Sequence, residues 1–368
     1  MSNDEPKAED RVGATVASKY ELLRLLGEGG MGAVYEAHHA YTDRRVALKL
    51  LHAHFAKNPA VRERFLREAK AAGALQHRCI ANVLDAGADT DGTLYVVFEF
   101  LDGEDLACLI EDSRITPRRL LDVLIDVLSG LEAAHGRGII HRDVKPANIY
   151  IVRERDGGQH AKLLDFGVAR VTERRDQRRL TQAGTVVGTP YYMSPEQMYG
   201  EDIDGRADLW AVGVVLFLGL TGRLPFQSKN YTALVTEMLQ VGPPSLSTLR
   251  PDLPPILGSV VSRALNPTID SRYADAAEMS DGLKEARLAF SRPDDAPRVV
   301  PVSRVATRAP AKKTTEVAAT TARPAWEKAL DAIEDQIDAI ATKPAPEEPE
   351  PPPRKKSRFT NPFRRKKS

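Results

Sequence analysis

Cysteine is scarce in this 368-residue sequence, which contains only Cys79 and Cys108. Two thiols without metal-ligand spacing exclude a disulfide framework and favour a reducing compartment. Long apolar runs are missing too. The longest, Leu209 to Leu220, is well short of the roughly 20 residues that a membrane helix needs, so it predicts a buried helix instead. Met1 to Lys19 is polar, Ser2 stands where myristoylation would need glycine, and the terminal Arg-Arg-Lys-Lys-Ser has no prenylatable cysteine. Neither a signal peptide nor a stable lipid anchor is expected. The expected location is cytoplasmic, with peripheral membrane association left open. A charge excess of either sign is also lacking, because 52 Lys and Arg against 51 Asp and Glu leave a net +1. A wholesale polyanion binder is thereby excluded.

Glycine disappears after Gly282, whereas 12 of the 25 prolines lie between Pro293 and Pro362. A folded chain needs glycine for turns and helix C-caps, so compact structure is expected to stop near residue 290. Charge divides at the same place. Residues 293–368 hold 16 basic and 11 acidic side chains, a net +5, which leaves 36 against 40, or −4, for residues 1–292. Residues 1–19 read as a flexible lead-in, 20–290 as the folded domain and 291–368 as a Pro-rich, mostly disordered tail.

What is present supports a core. A composition of 42% hydrophobic and 28% charged residues suits a globular domain, and the length allows one large interior. Within the domain the pattern changes once. Tyr20 to Phe100 carries short β-rich runs, among them Val46–Leu51 and Leu94–Phe100, the second after an Asp91-Gly92 turn. One helix is predicted between them, over Ala60–Leu75, with Val61, Phe65, Ala69 and Ala72 on one face. Beyond residue 103 the reading is mostly helical, and Thr116 with Pro117 marks the start of a helix that runs to His135. An α+β fold follows, with a small β-rich lobe before a larger helical one.

Gly27-Glu28-Gly29-Gly30-Met31-Gly32-Ala33-Val34 matches the pattern G-x-G-x-x-G-x-V. Missing side chains let backbone N–H groups approach a polyphosphate, and the β-prone flanks make the stretch a hairpin. Taken alone, it is equally an ordinary glycine turn. Val46-Ala47-Leu48-Lys49 follows one strand later. A lone strand lysine normally points to water, but Glu68 on the predicted helix is a carboxylate able to pair with Lys49 and hold its ammonium against phosphate oxygens. The decisive run is His141-Arg142-Asp143-Val144-Lys145-Pro146-Ala147-Asn148, followed by Asp165-Phe166-Gly167 after the Ala161–Leu164 strand. Asn148 and Asp165 offer the oxygen ligands that Mg2+ prefers, and Asp143 is placed to accept a hydroxyl proton.

With these motifs in this order and spacing, the segment from about Tyr20 to Phe290 resembles the eukaryotic-type serine/threonine protein kinases of bacteria. Gly188-Thr189-Pro190, Ser194-Pro195-Glu196, Asp208-Leu209-Trp210-Ala211-Val212-Gly213 and Arg272 extend the resemblance. It implies a two-lobed protein kinase fold and ATP-dependent phosphorylation of protein serine or threonine hydroxyls, with ATP and Mg2+, or Mn2+, as cofactors. It assigns Lys49 to the α and β phosphates, Asn148 and Asp165 to the metal, Lys145 to the transferring γ-phosphoryl and Asp143 to the acceptor hydroxyl. Positioning and charge stabilisation then dominate the rate. The nucleotide is expected beneath Leu26–Val34 and against Ala47, with backbone hydrogen bonds from Glu99 and Leu101 and with Phe98 behind. By the same resemblance, Glu196 pairs with Arg272 and Asp208 braces the catalytic loop. Tyr150 departs from the family pattern, which has Leu or Met beneath the adenine. Either its ring stacks on the base or its hydroxyl reaches water, and stacking is the preferred reading. Ser194 in place of the usual Ala is conservative. A catalytically inert scaffold is the alternative, and the filled nucleotide and metal positions argue against it.

Arg142, just before Asp143, resembles the subclass whose activation loop is ordered by a phosphate that pairs with that arginine. The loop from Asp165 to Glu196 offers Thr172, Thr181, Thr185 and Thr189. Thr181 and Thr185 are the expected autophosphorylation sites, and Thr189 belongs to the substrate-receiving segment. Arg174, Arg175, Arg178 and Arg179 either repel one another until a phosphate arrives or are simply solvated. A homodimer would serve phosphorylation in trans. In the tail, Trp326, Leu330, Ile333, Ile337 and Ile340 make an a/d seam over about residues 325–341, an amphipathic helix that either docks or only flickers. Pro344–Pro353 reads as a polyproline spacer. Arg354–Ser368 carries eight basic residues with Phe359 and Phe363 between them and no acidic ones. A solvated end, an anionic-membrane contact and a nucleic-acid contact compete there, the last being least favoured.

Overall fold

Alternation of buried and exposed side chains builds the small lobe. The computed structural model describes residues 7–29, 32–56, 58–154, 156–166, 190–228 and 230–290. The predicted tail helix and the polybasic end therefore lie outside the described residues. Strands β1 (Thr15–Val16), β2 (Tyr20–Gly29), β3 (Gly32–His39), β4 (Arg44–Leu51), β5 (Val83–Ala88) and β6 (Leu94–Glu99) form one antiparallel sheet in the order β1-β2-β3-β4-β6-β5. On β4, Val46, Leu48 and Leu50 are buried on one face, whereas Ala47 and Lys49 are half-buried on the other. The first face joins Leu22, Tyr35, Ala37 and Val97 in an outer core. The second belongs to an inner core with Phe65, Val96 and Phe98.

Phe65 comes from α2 (Pro59–Gly73), which follows the short helix α1 (Ala53–Ala56). Pro59 opens α2 at a position where its missing N–H costs nothing, and Asn58 Oδ1 accepts the Ala60 N–H at 3.0 Å. The lead-in differs from the sequence expectation. Ala8–Arg11 form a 3-10 turn, and β1 pairs with β2. Ala8 and Val16 enter the outer core, and Tyr35 Oη donates to the Ala8 carbonyl at 2.8 Å. That core draws no residue from α2, so its cover has to come from the chain ahead of β2. One alanine and one valine in register are enough, and average polarity over the segment conceals them.

The large lobe begins with β7 (Gly103–Asp105), which pairs with β8 (Ile149–Arg153) and β9 (Gln159–Leu163) in a small sheet. Its helices are α3 (Leu106–Glu111), α4 (Pro117–His135), α5 (Pro195–Tyr199), α6 (Arg206–Thr221), α7 (Tyr231–Thr236), α8 (Leu246–Leu249), α9 (Ile256–Ala264) and α10 (Ala276–Leu288). As the sequence signals predict, Thr116 caps α4, its Oγ1 accepting the Arg119 N–H at 3.3 Å. The apolar run becomes α6, in which every residue from Ala207 to Phe217 is buried. Gly213 allows α9 to approach closely, since a Cβ there would lie 2.7 Å from the Ala264 Cβ. Among the described residues no helix is long and apolar enough to cross a membrane.

Candidate active site

Residues 141–145 have no regular secondary structure, so their shape has to be imposed from outside. Asp208, in the first turn of α6 and 1% exposed, does this. Its Oδ2 accepts the His141 N–H at 2.8 Å and its Oδ1 the Arg142 N–H at 2.7 Å, while His135 Nε2 lies 2.7 Å from Oδ2. A buried carboxylate is stable only when paired in this way. His141 ties the loop to the strand beyond it: Nε2 meets the Leu164 carbonyl at 2.8 Å and Nδ1 accepts the Asp143 N–H at 3.3 Å. These two contacts assign the ring proton to Nε2. Arg142 is held at φ 69° and its carbonyl accepts from Gln197 Nε2 at 3.1 Å, which joins α5 to the loop. A left-handed non-glycine residue persists where its surroundings over-determine it.

The loop delivers three groups to one place. Lys145 Nζ lies 2.8 Å from Asp143 Oδ2, and Asn148 Nδ2 donates to the same oxygen at 2.9 Å and to the Asp143 carbonyl at 2.8 Å. With its amide nitrogen engaged twice, Asn148 has Oδ1 left to face a cation. Asp165 follows β9 at φ 58°, also in the left-handed region. Burial opposes ionisation of Asp165, but Lys49, then Lys145 and His141, outweigh it and hold the carboxyl below the usual aspartate range. The Leu164 N–H donates to the Asn148 carbonyl at 2.9 Å, so Asn148 and Asp165 stand on adjoining backbone. A carboxylate and an amide oxygen are the hard donors that a Mg2+-sized ion takes, and the residues present fit such a metal.

Lys49 meets Asp165 Oδ2 at 2.7 Å. The expected partner was Glu68, and among the described residues the ion pair of Lys49 is to Asp165 instead. Glu68 sits half-buried on α2.

The glycine-rich stretch is the β2–β3 hairpin, with Gly27 opposite Val34, Glu28 opposite Ala33 and Gly29 opposite Gly32. Gly32 is needed by the fold, since at φ 149° a Cβ would sit 1.9 Å from the Leu50 carbonyl oxygen. Gly27 and Gly29 are different: a Cβ at either would meet nothing within 4 Å. Among the described residues no atom accounts for those two glycines, and the bare backbone there is open to close approach. Leu26 is exposed at 41% beside them. Val34 lies opposite Lys49, and Ala47 lies opposite Phe98, which is buried in the inner core.

Glu99 ends β6 and its N–H donates to the Asn82 carbonyl at 3.0 Å. Leu101 is in the connector that follows, outside any strand or helix. The Tyr150 hydroxyl donates to the Gly103 carbonyl at 2.8 Å. Burial, with Asp105 and Asp102 nearby, pushes that phenol up from its ordinary value. Gly30, Met31, Gly167, Thr172, Thr181, Thr185 and Thr189 lie outside the described residues. Two contributors escaped the sequence reading: His135, which reads as the end of an amphipathic helix, and Lys162, which reads as an ordinary strand lysine.

Glu196 and Arg272 form a bidentate pair at 2.7 and 2.8 Å, with the guanidinium 4.8 Å from the Trp210 ring centre. The pair locks α5, and through Gln197 the catalytic loop, onto the large-lobe core.

A sequence profile of the protein kinase domain matches residues 20–276. The chain is 40% identical over 297 residues to serine/threonine-protein kinase pkn3 of Myxococcus xanthus, a match covering 80% of this chain and 54% of that protein. With serine/threonine-protein kinase PknH of Mycobacterium tuberculosis it shares 39% identity over 287 residues, 78% of this chain and 44% of the relative. Among solved structures, the kinase domain of PknI from M. tuberculosis superposes with a TM-score of 0.60 at 32% identity, covering 75% of this chain and 98% of that one. The chain spans about half the length of the curated relatives it matches. The two-lobed fold, the loop held by Asp208 and the profile match over most of the chain lead to one conclusion: this chain belongs to the protein kinase family.

Proposed function

We propose that this chain transfers the γ-phosphoryl group of ATP to serine and threonine hydroxyls of proteins. The observation that carries the reading is the meeting of Lys145 and Asn148 on one oxygen of Asp143, beside the Lys49–Asp165 pair. Asp143 accepts the proton of the attacking hydroxyl, and Lys145 neutralises charge that develops on the transferring group. Lys49 holds the α and β phosphates beneath the Gly27–Val34 hairpin, and the backbone of Glu99 and Leu101 receives the adenine. A divalent metal bound by Asp165 and Asn148 supplies charge neutralisation on the phosphate oxygens. Lys145 two residues after Asp143, with Thr189 in the substrate-receiving segment, supports serine and threonine as acceptors.

Regulation belongs to the same reading. Autophosphorylation of Thr181 or Thr185, in trans within a homodimer, provides the phosphate that pairs with Arg142. The basic residues of Arg354–Ser368 attach the chain weakly to anionic membrane surfaces, which requires binding to anionic but not to neutral vesicles. Bacterial signalling through protein substrates is the process that these features serve.

Label transfer from γ-labelled ATP to a generic basic protein tests the chemistry. Asp143→Asn and Lys49→Met are each expected to lower the rate by about 100-fold or more, with Asp143→Asn still binding nucleotide. Mass spectrometry of the same preparations is expected to find phosphate on Thr181 or Thr185 in the wild type and on neither in Lys49→Met. A folded wild type that transfers no label to itself or to any protein overturns the reading.

A further inference from the structure

The connector between the lobes, residues 100–102, has no secondary structure of its own, yet one rung of the small sheet holds both its ends. Tyr150 on β8 and Lys162 on β9 are directly opposed partners, which puts their side chains on the same face of the sheet. Lys162 Nζ donates to Glu99 Oε1 at 2.5 Å, and the same oxygen accepts the Asn82 N–H at 2.9 Å. That fixes the last residue of β6. At the other end Tyr150 Oη donates to the Gly103 carbonyl at 2.8 Å, which fixes the first residue of β7. Lys162 is 8% exposed, so its ammonium is tolerated there only because a carboxylate meets it. The rung is itself set by the catalytic segments, since β8 begins directly after Asn148 and β9 ends two residues before Asp165.

We infer that Tyr150 and Lys162 are positioning residues for the nucleotide base. They hold the backbone at both ends of residues 99–103, so that adenine meets a connector already ordered. A loose connector would lose conformational entropy at every binding event, and the two tethers remove that cost beforehand. The hydroxyl of Tyr150 and the ammonium of Lys162 are engaged on Gly103 and Glu99, so their effect falls on the base end of the nucleotide. This rests on the kinase reading proposed above.

Titration of the full chain with adenosine and with Mg-ATP, alongside steady-state kinetics, tests the inference in Lys162→Met, Tyr150→Phe and the double variant. Each single variant is expected to weaken adenosine and ATP alike by about 3- to 10-fold, the range of one net hydrogen bond, and to raise the ATP KM by the same factor. Because both residues hold one segment, the double variant should lose less than the product of the two factors. Lys162→Arg, which keeps the charge opposite Glu99, should recover most of the affinity. Unchanged adenosine affinity in Tyr150→Phe, which removes a single hydroxyl and keeps the ring, overturns the inference, as does a fall in kcat with KM unmoved. If Lys162→Met fails to fold, Tyr150→Phe and Lys162→Arg decide the matter alone. A folded wild type that binds neither ligand removes the nucleotide site itself, and with it this inference. A wild type that binds both, with variants that match it, removes only the tether.

Discussion

The small lobe and the large lobe exclude water in different ways. One sheet divides the small lobe into two thin cores, and the outer one is completed by a turn and a two-residue strand at the start of the chain. The large lobe instead wraps a single core around α6, a helix buried on all sides. Its few interior charges are each met by partners: Asp208 by the catalytic loop, Glu196 by Arg272. Small-lobe stability is thus shared among many modest contacts near the sheet surface. Large-lobe stability can be broken at single buried atoms, and those atoms also shape the site.

The largest effect should therefore follow from splitting the Glu196–Arg272 pair. Arg272→Ala leaves a buried carboxylate without its partner and is expected to cost about 3–5 kcal/mol in chemical denaturation. Burial alone pushes the Glu196 carboxyl up, but Arg272 outweighs it and holds the group below the ordinary glutamate value of 4.5. A carboxyl lowered on folding contributes stability above its unfolded value and loses it as pH falls through the folded one. Wild-type stability is accordingly expected to decline below about pH 4.5 more steeply than that of Glu196→Gln. Parallel acid limbs in the two proteins would assign the pair no role in large-lobe stability.

Removing residues 1–18 probes the other lobe with a smaller expected cost of about 2–4 kcal/mol, the order of two small buried side chains and a hydrogen bond. The loss should be local. Amide exchange is expected to accelerate in β2, β3 and β4 and to stay unchanged in α4 and α6. Uniform acceleration through both lobes would erase the contrast between them, and no acceleration would deny the lead-in its place in the outer core.

That lead-in marks the limit of what the sequence makes legible. Asp143, Lys145, Asn148 and Asp165 stand out because their chemistry demands particular residue types at particular spacings, and the fold brings those residues together. The buried helix α6 was equally plain, since a long apolar run has no other place in a globular domain. Contacts decided by register were not. Lys162 finds Glu99 across 63 residues of sequence, and neither residue type announces the other. Nothing in the sequence around Tyr150 points to the Gly103 carbonyl, which the pairing of β7 with β8 puts within reach of its hydroxyl. Glu68 and Asp165 are both carboxylates able to pair with Lys49, and spacing alone does not say that the ion pair is with Asp165. Residues 1–19 read as a flexible lead-in because a few small apolar side chains scattered in a polar segment carry no periodicity.

The smallest expected effect gives the sharpest view of how the outer core is closed. Tyr35 is fully buried on β3, and its hydroxyl reaches the Ala8 carbonyl at 2.8 Å. Burial is the main cause that pushes this phenol up to about 12, so it stays protonated as a donor through the neutral range. Tyr35→Phe keeps the ring in the core and leaves the Ala8 carbonyl to find water at the lobe surface. A loss of about 1 kcal/mol is expected, less than that of the truncation. If the hydroxyl is what fastens the lead-in, Tyr35→Phe should also raise protease cleavage within residues 7–18, and adding the substitution to the truncated chain should cost almost nothing further. Equal costs in the full-length and truncated chains would mean that Tyr35 serves the core by its ring alone, and that the lead-in is held by the pairing of β1 with β2.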